Sequence, residues 1–104
     1  MSDRQGDSDS EVIVRTRSKT QKPKMYKVIL HNDRFTTMEF VVDILEDIFH
    51  HPPAVATQLM LRIHREGQGV AGVYTKDVAD TKVQQVEDRA LEYGFPLLCT
   101  MEQA

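Results

Sequence analysis

The chain has one cysteine, Cys99, among its 104 residues, so no internal disulfide can staple it. It has no run of about 18 apolar residues and no apolar segment at its start, which argues against a membrane span or a secretory leader. Acids at Asp3, Asp7, Asp9 and Glu11 argue against a transit peptide. These absences together predict a protein of the reducing cytoplasm. Basic residues are scarce in the body of the chain. Residues 25–104 carry twelve acids against seven bases, so the basic patch that would displace counterions from a nucleic acid is missing. Catalytic fingerprints are missing too: there is no G-x-S-x-G, no P-loop and no dinucleotide motif. His31, His50, His51 and His64 include no H-x-x-x-H pair and Cys99 has no C-x-x-C partner, so neither a metal nor a cofactor is expected.

What is present divides the chain in two. Residues 1–24 hold Ser, Asp, Gln, Lys and Arg with little to bury except Val12, Ile13 and Val14. Four acids and one base in 1–11 are followed by five bases and no acid in 12–24. Such a segment cannot offset its ordering entropy, and a disordered N-terminal extension is predicted. Residues 25–104 are long enough for one small domain.

Alternation of Tyr26, Val28 and Leu30 with Lys27, Ile29 and His31 predicts a strand. Thr36 with Glu39 three residues on reads as a capping box opening a helix whose apolar positions are Met38, Val41, Val42, Leu45, Ile48 and Phe49. His50 and His51 read as its end, where imidazole favours the last carbonyls. Pro52 and Pro53 stop that helix and can open the next, with a stripe of Val55, Leu59 and Ile63 flanked by Ala56, Met60 and His64 and a left-handed cap at Gly67. A strand over Gly69–Tyr74 follows. A third helix is capped by Thr75, built on Ala79, Val83, Val86 and Ala90, and closed by Gly94, and a last strand runs from Phe95 to Met101. The order β-α-α-β-α-β predicts an α+β two-layer domain with a three-stranded sheet and three helices on one face.

Several polar and apolar residues are unlike ordinary structural choices at their positions. Asn32, Asp33, Thr36 and Met38 lie on a loop entering a helix, while Met60 and His64 share one face of a later helix, four residues apart. A neutral imidazole can accept a hydrogen bond from an ammonium group, and a methionine thioether makes an adaptable wall. The bland alternative for Asn32 and Asp33 is an Asx turn. The cluster fits recognition of an amine attached to an apolar side chain.

These residues resemble the ClpS adaptor family. Asn32-Asp33-Arg34-Phe35-Thr36-Thr37-Met38-Glu39-Phe40-Val41 is similar to the family's N-D-D-x-T-P-M-E-F-V, and Met60-Leu61-Arg62-Ile63-His64 to its M-L-x-V-H. Residues 69–75 and 78–83 resemble G-V-C-G-V-Y-T and V-A-E-T-K-V, and residues 96–102 resemble P-L-x-C-T-M-E. The resemblance implies an antiparallel sheet and a monomeric, non-enzymatic adaptor of the bacterial N-end rule. Such an adaptor binds proteins beginning with Leu, Phe, Tyr or Trp and hands them to the N-terminal domain of the unfoldase ClpA. It implies that Asn32 and His64, with Asp33 and the altered position Arg34, surround the substrate α-amine. It places Leu30, Thr36, Met38, Val41, Met60, Ile63 and Leu97 on the side-chain pocket, with Met38 as the gate against β-branched residues. It turns Asp77 and Lys82 toward the unfoldase and makes the N-terminal extension necessary for delivery.

Two departures stand out. Arg34 replaces the second Asp of the motif, which puts like charge beside the substrate amine; the repulsion at ~4 Å is about 1 kcal/mol in water and about 4 kcal/mol at an effective dielectric of 20. Arg34 can swing outward, so the lower figure applies, and binding weaker or more selective than in a standard member is expected. Thr37 replaces Pro at the helix start, a small expected loss of preorganisation. Both changes suit a divergent paralogue with altered substrate preference. The competing reading is an interaction domain of similar architecture, as in the C-terminal domain of the ribosomal stalk protein, with a different ligand and no amine site.

Overall fold

The structure, a computed structural model, describes residues 22–104. The predicted disorder of 1–24 therefore lies, for 1–21, outside the described residues; 22–24 carry no regular structure. Six elements follow in the predicted order: β1 (Met25–His31), α1 (Met38–Asp47), α2 (Pro53–Glu66), β2 (Gln68–Thr75), α3 (Lys76–Tyr93) and β3 (Leu98–Gln103). The sheet is antiparallel with strand order β2-β1-β3, so β1 is central and hydrogen-bonded on both edges. No helix among the described residues is long and apolar enough to cross a membrane.

The core lies between the inner face of the sheet and the three helices. Val28, Leu30, Ala71 and Cys99 meet Phe40, Ile44 and Leu45 of α1, Ala56 and Ile63 of α2, and Ala79, Val86 and Ala90 of α3. Burying each of the larger aliphatic side chains contributes roughly 1.5–3 kcal/mol. Two predicted stripes are rotated by the tertiary packing. On α1 the buried residues are Phe40, Val41, Ile44 and Leu45, while Met38 is 44% exposed. On α2 they are Ala56, Met60 and Ile63, and Val55 is 40% exposed. Ala56 beside it is fully buried.

The ends of the elements also differ in detail from the sequence expectation. The N-cap of α1 is Thr37, whose hydroxyl accepts from the Phe40 amide at 3.1 Å; Thr36 is engaged elsewhere, so the expected capping box does not form. Thr37 in place of Pro thus supplies a side-chain cap, a contribution of about 1 kcal/mol, where a loss was expected. Thr75 stands at the N-cap of α3 without a side-chain cap bond. Gly67 (φ 91) and Gly94 (φ 77) close α2 and α3 in the left-handed conformation. His50 also takes a positive φ of 59, and the Nε2–H of His51 donates at 2.6 Å to the carbonyl of Ala71 on β2, not to its own helix. The last strand starts at Leu98, not Phe95. Its partner β1 ends at His31, opposite Leu98, and Phe95 instead stacks against Phe40 with ring centroids 4.7 Å apart.

Cys99 is 3% exposed on β3. Burial, with the charge of Glu87 adding to it, pushes its thiol up to about 12. At about pH 8 it stays protonated, and the thiol is a poor nucleophile. A disulfide reagent is expected to label the native protein slowly, at the rate of structural opening, and the denatured chain at the rate of a free thiol. Equal labelling rates in the two states would overturn this placement.

Candidate functional site

The cavity opens where the loop after β1 meets the C-terminal half of α2. At the end of the β1–β2 ladder His31 pairs with Gln68, and one step further the Asn32 amide donates to the Gly67 carbonyl at 2.8 Å. That bond ties the loop to the residue that caps α2, three positions beyond His64. The two clusters, distant in sequence, therefore face each other.

The loop itself is set by Asp33. Its Oδ1 accepts from the amides of Phe35 and Thr36, at 2.8 and 2.7 Å, and its Oδ2 accepts from the Thr36 hydroxyl at 2.7 Å. The Asx turn considered from sequence is thus formed by Asp33. Burial alone would raise its pKa, but the Thr36 amide, the Thr36 hydroxyl and the Phe35 amide together hold it below its ordinary 3.8. Three of the carboxylate's roughly four lone-pair sites are committed to the loop, which leaves about one unused on a residue that lines the cavity.

The cavity measures ≈ 530 Å³ and is lined by Asn32, Asp33, Arg34, Thr36, Met38, Val41, Met60, Ile63 and His64. This volume is of the size that takes a small ligand or a large side chain. Val41, Met60 and Ile63 are 7%, 9% and 2% exposed and form the floor, and Met38 stands at the mouth. Asn32 and His64 are exposed, and among the described residues neither side chain has a hydrogen-bond partner. The arrangement offers an apolar floor beside a rim of unused acceptors and one carboxylate. That combination suits an apolar side chain joined to a cationic donor.

Four residues named from sequence lie elsewhere. Leu30 is fully buried on central β1, with strands on either side and helices above, and Leu97, just before β3, is 6% exposed; both belong to the core and neither lines the cavity. Asp77 is exposed in the first turn of α3. Lys82 is half-buried and donates from Nζ to the Ile48 carbonyl at 2.6 Å, 5.6 Å from the Tyr74 ring centroid. It caps the C-terminus of α1, which has no basic residue in its own last turn. Five residues apart, Asp77 and Lys82 are separated by about 140° around the helix axis. The feature that sequence reasoning missed is the Asn32–Gly67 bond; the only signal for it was the glycine cap directly preceding a strand.

The family model for "ATP-dependent Clp protease adaptor protein ClpS" matches residues 21–100. The chain is 53% identical over 95 residues to the ATP-dependent Clp protease adapter protein ClpS of Syntrophus aciditrophicus, covering 91% of this chain and 89% of that one. It is 53% identical over 96 residues to the ClpS of Burkholderia cenocepacia, covering 92% of each. Among solved structures it is similar to Agrobacterium tumefaciens ClpS2 bound to L-phenylalaninamide, with a TM-score of 0.77 and 38% identity over 80% of this chain and 100% of that chain.

Replacing Asp33 with Ala should cost about 1–3 kcal/mol by leaving loop donors unpaired. Because the folded pKa is depressed, the stabilisation is present above the ordinary value of 3.8 and fades as pH falls through the lower folded value. In thermal melts the gap between wild type and Asp33→Ala should hold from neutral pH down to about pH 5 and narrow below about pH 4. A gap independent of pH would remove the carboxylate from this role.

Proposed function

The chain belongs to the ClpS family of ATP-dependent Clp protease adaptors, and from that premise we propose that its cavity captures the N-terminal residue of proteins destined for degradation. The α-amine of the substrate is held by Asn32, His64 and the unused lone pair of Asp33. The first side chain, Leu, Phe, Tyr or Trp, enters between Met38 and the floor of Val41, Met60 and Ile63, with Thr36 beside it. The cargo passes to the N-terminal domain of the ClpA unfoldase, which meets Asp77 in the first turn of α3 and, on another side of that helix, Lys82. The protein works as a cytoplasmic, monomeric binding module, with no catalytic role and no cofactor. The N-terminal extension takes part in delivery, and Leu30 and Leu97 support the pocket from behind.

The single observation carrying this is the juxtaposition of unpartnered Asn32 and His64 with an apolar floor in one cavity. The relative solved with L-phenylalaninamide supports it, since that ligand combines a free α-amine with a benzyl side chain. Burying an aromatic side chain of ~150–250 Å² contributes roughly 4–6 kcal/mol before the costs of association. Apolar burial alone would accept any exposed aromatic. The amine supplies the selection, because an acetylated terminus would leave the rim acceptors unpaired.

Fluorescence anisotropy with labelled peptides beginning with Phe, Leu, Val or acetyl-Phe tests the reading. Phe and Leu should bind, and Val and acetyl-Phe should bind far more weakly. Asn32→Ala and His64→Ala should each weaken Phe binding by about 10- to 100-fold, the scale of one hydrogen bond to a charged group. Equal binding of free and acetylated Phe would refute the amine site and favour an interaction domain with another ligand. Met38→Ala should relax the exclusion of Val and Ile; unchanged discrimination would place the gate elsewhere.

A further inference from the structure

The amine-binding reading leaves one rim residue without a use. Arg34 lines the cavity mouth, is exposed, and among the described residues makes no ion pair and no side-chain hydrogen bond. Its neighbour Asp33 is a carboxylate on the same rim, but it forms no ion pair with Arg34: its oxygens accept from the Phe35 and Thr36 amides and the Thr36 hydroxyl. No Glu and no Lys is among the lining residues. The mouth therefore holds one free guanidinium, two residues from Asn32 and within a chain span of about 7 Å of it.

We propose that Arg34 reads the second residue of the bound terminus and selects substrates with Asp or Glu there. The inference rests on the amine-and-pocket reading above. With the first side chain in the cavity and the amine at Asn32 and His64, an extended peptide turns its second side chain to the opposite side and advances about 3.3 Å per residue. That side chain emerges at the mouth, within reach of a long arginine. A guanidinium presents a planar fork of donors that matches a carboxylate with two parallel hydrogen bonds. It repels a lysine at the same position. The cation that disfavours the substrate amine thus becomes favourable when the substrate brings its own carboxylate beside that amine.

Three peptides, identical except for Phe-Glu, Phe-Ala or Phe-Lys at the start, are titrated by anisotropy against the full chain, wild type, Arg34→Ala and Arg34→Asp. For wild type, Phe-Glu should bind about two- to fivefold tighter than Phe-Ala, and Phe-Lys weaker by a similar factor, as expected of a solvent-exposed ion pair. The spread should shrink at ~0.5 M salt, where the screening length is under about 5 Å. Arg34→Ala should flatten the series and Arg34→Asp should reverse it, with an unchanged melting temperature showing that the variants fold. A flat or lysine-favouring series in wild type, with Phe-Ala still binding better than its acetylated form, would overturn the role of Arg34 and leave the pocket standing. A glutamate preference that survives both substitutions would do the same. Equal binding of Phe-Ala and acetyl-Phe-Ala would instead overturn the pocket reading and this inference with it.

Discussion

The site depends on one backbone hydrogen bond, from the Asn32 amide to the Gly67 carbonyl. It lies one step beyond the last rung of the β1–β2 pairing, His31 with Gln68, and is the first constraint on the loop that follows. Gly67 can accept it because it adopts φ 91, which turns α2 directly into β2. A residue with a side chain would be strained there. The neighbouring Gly69 contributes by its lack of a side chain: a Cβ would lie 2.8 Å from Cγ1 of Ile63. The floor residue Ile63 is therefore pressed directly against the strand. Asn32 and His64 are positioned by the same short stretch of backbone, so the separation of the two rim groups is a property of the sheet register.

The other wall is held by contacts that look unrelated in sequence. Asp33 folds the loop onto its own amides, and the loop delivers Thr37 as the cap of α1. The far end of α1 is fixed by Lys82 on the Ile48 carbonyl, and the turn after it by His51 on Ala71. These bonds fix α1 at both ends, so Val41 and Met38 meet the cavity at a set angle. Lys82 is thereby part of the fold's internal support, whatever surface it also offers to a partner.

The architecture was legible because periodicity and caps agree across the chain. Gly67 and Gly94 mark helix ends, and Val83, Val86 and Ala90 mark the buried side of α3. The details that failed are those settled between elements. Two adjacent threonines can each cap a helix, and only the competing claim of Asp33 on Thr36 decides for Thr37. Val55 and Ala56 are equally plausible inner residues until the rotation of α2 against the rest of the core buries Ala56 and exposes Val55. The start of β3 is set by where β1 ends, which no local pattern in residues 95–98 records. Asn32, Asp33, Thr36, Met38, Met60 and His64 stand out in the sequence because a polar loop and a histidine at helical spacing from methionine are unusual local choices; Arg34, Val41 and Ile63, which also line the cavity, are legible as site residues only through the family resemblance. Leu30 and Leu97, by contrast, are ordinary leucines: the depth of Leu30 follows from the central position of β1, and that of Leu97 from its place in the core just before β3.

The balance of exposed and buried groups sets what such a site can discriminate. The described residues bury no polar or charged side chain, so the unliganded rim, Asn32, His64 and Arg34, is hydrated and carries little desolvation cost. Polar discrimination then arises only when a ligand closes the mouth. In the proposed reading, an incoming side chain covers the floor and strips water from the rim, and each acceptor is then either matched by an amine proton or left unpaired at a cost of about 1–3 kcal/mol. A mismatch costs more than a match gains. Affinity therefore comes mostly from the apolar floor, which accepts several side chains, while the identity of the terminus is checked by the penalty at the rim. In the same proposed reading Arg34, exposed and screened by solvent, adjusts preference among acceptable substrates without deciding which termini are acceptable.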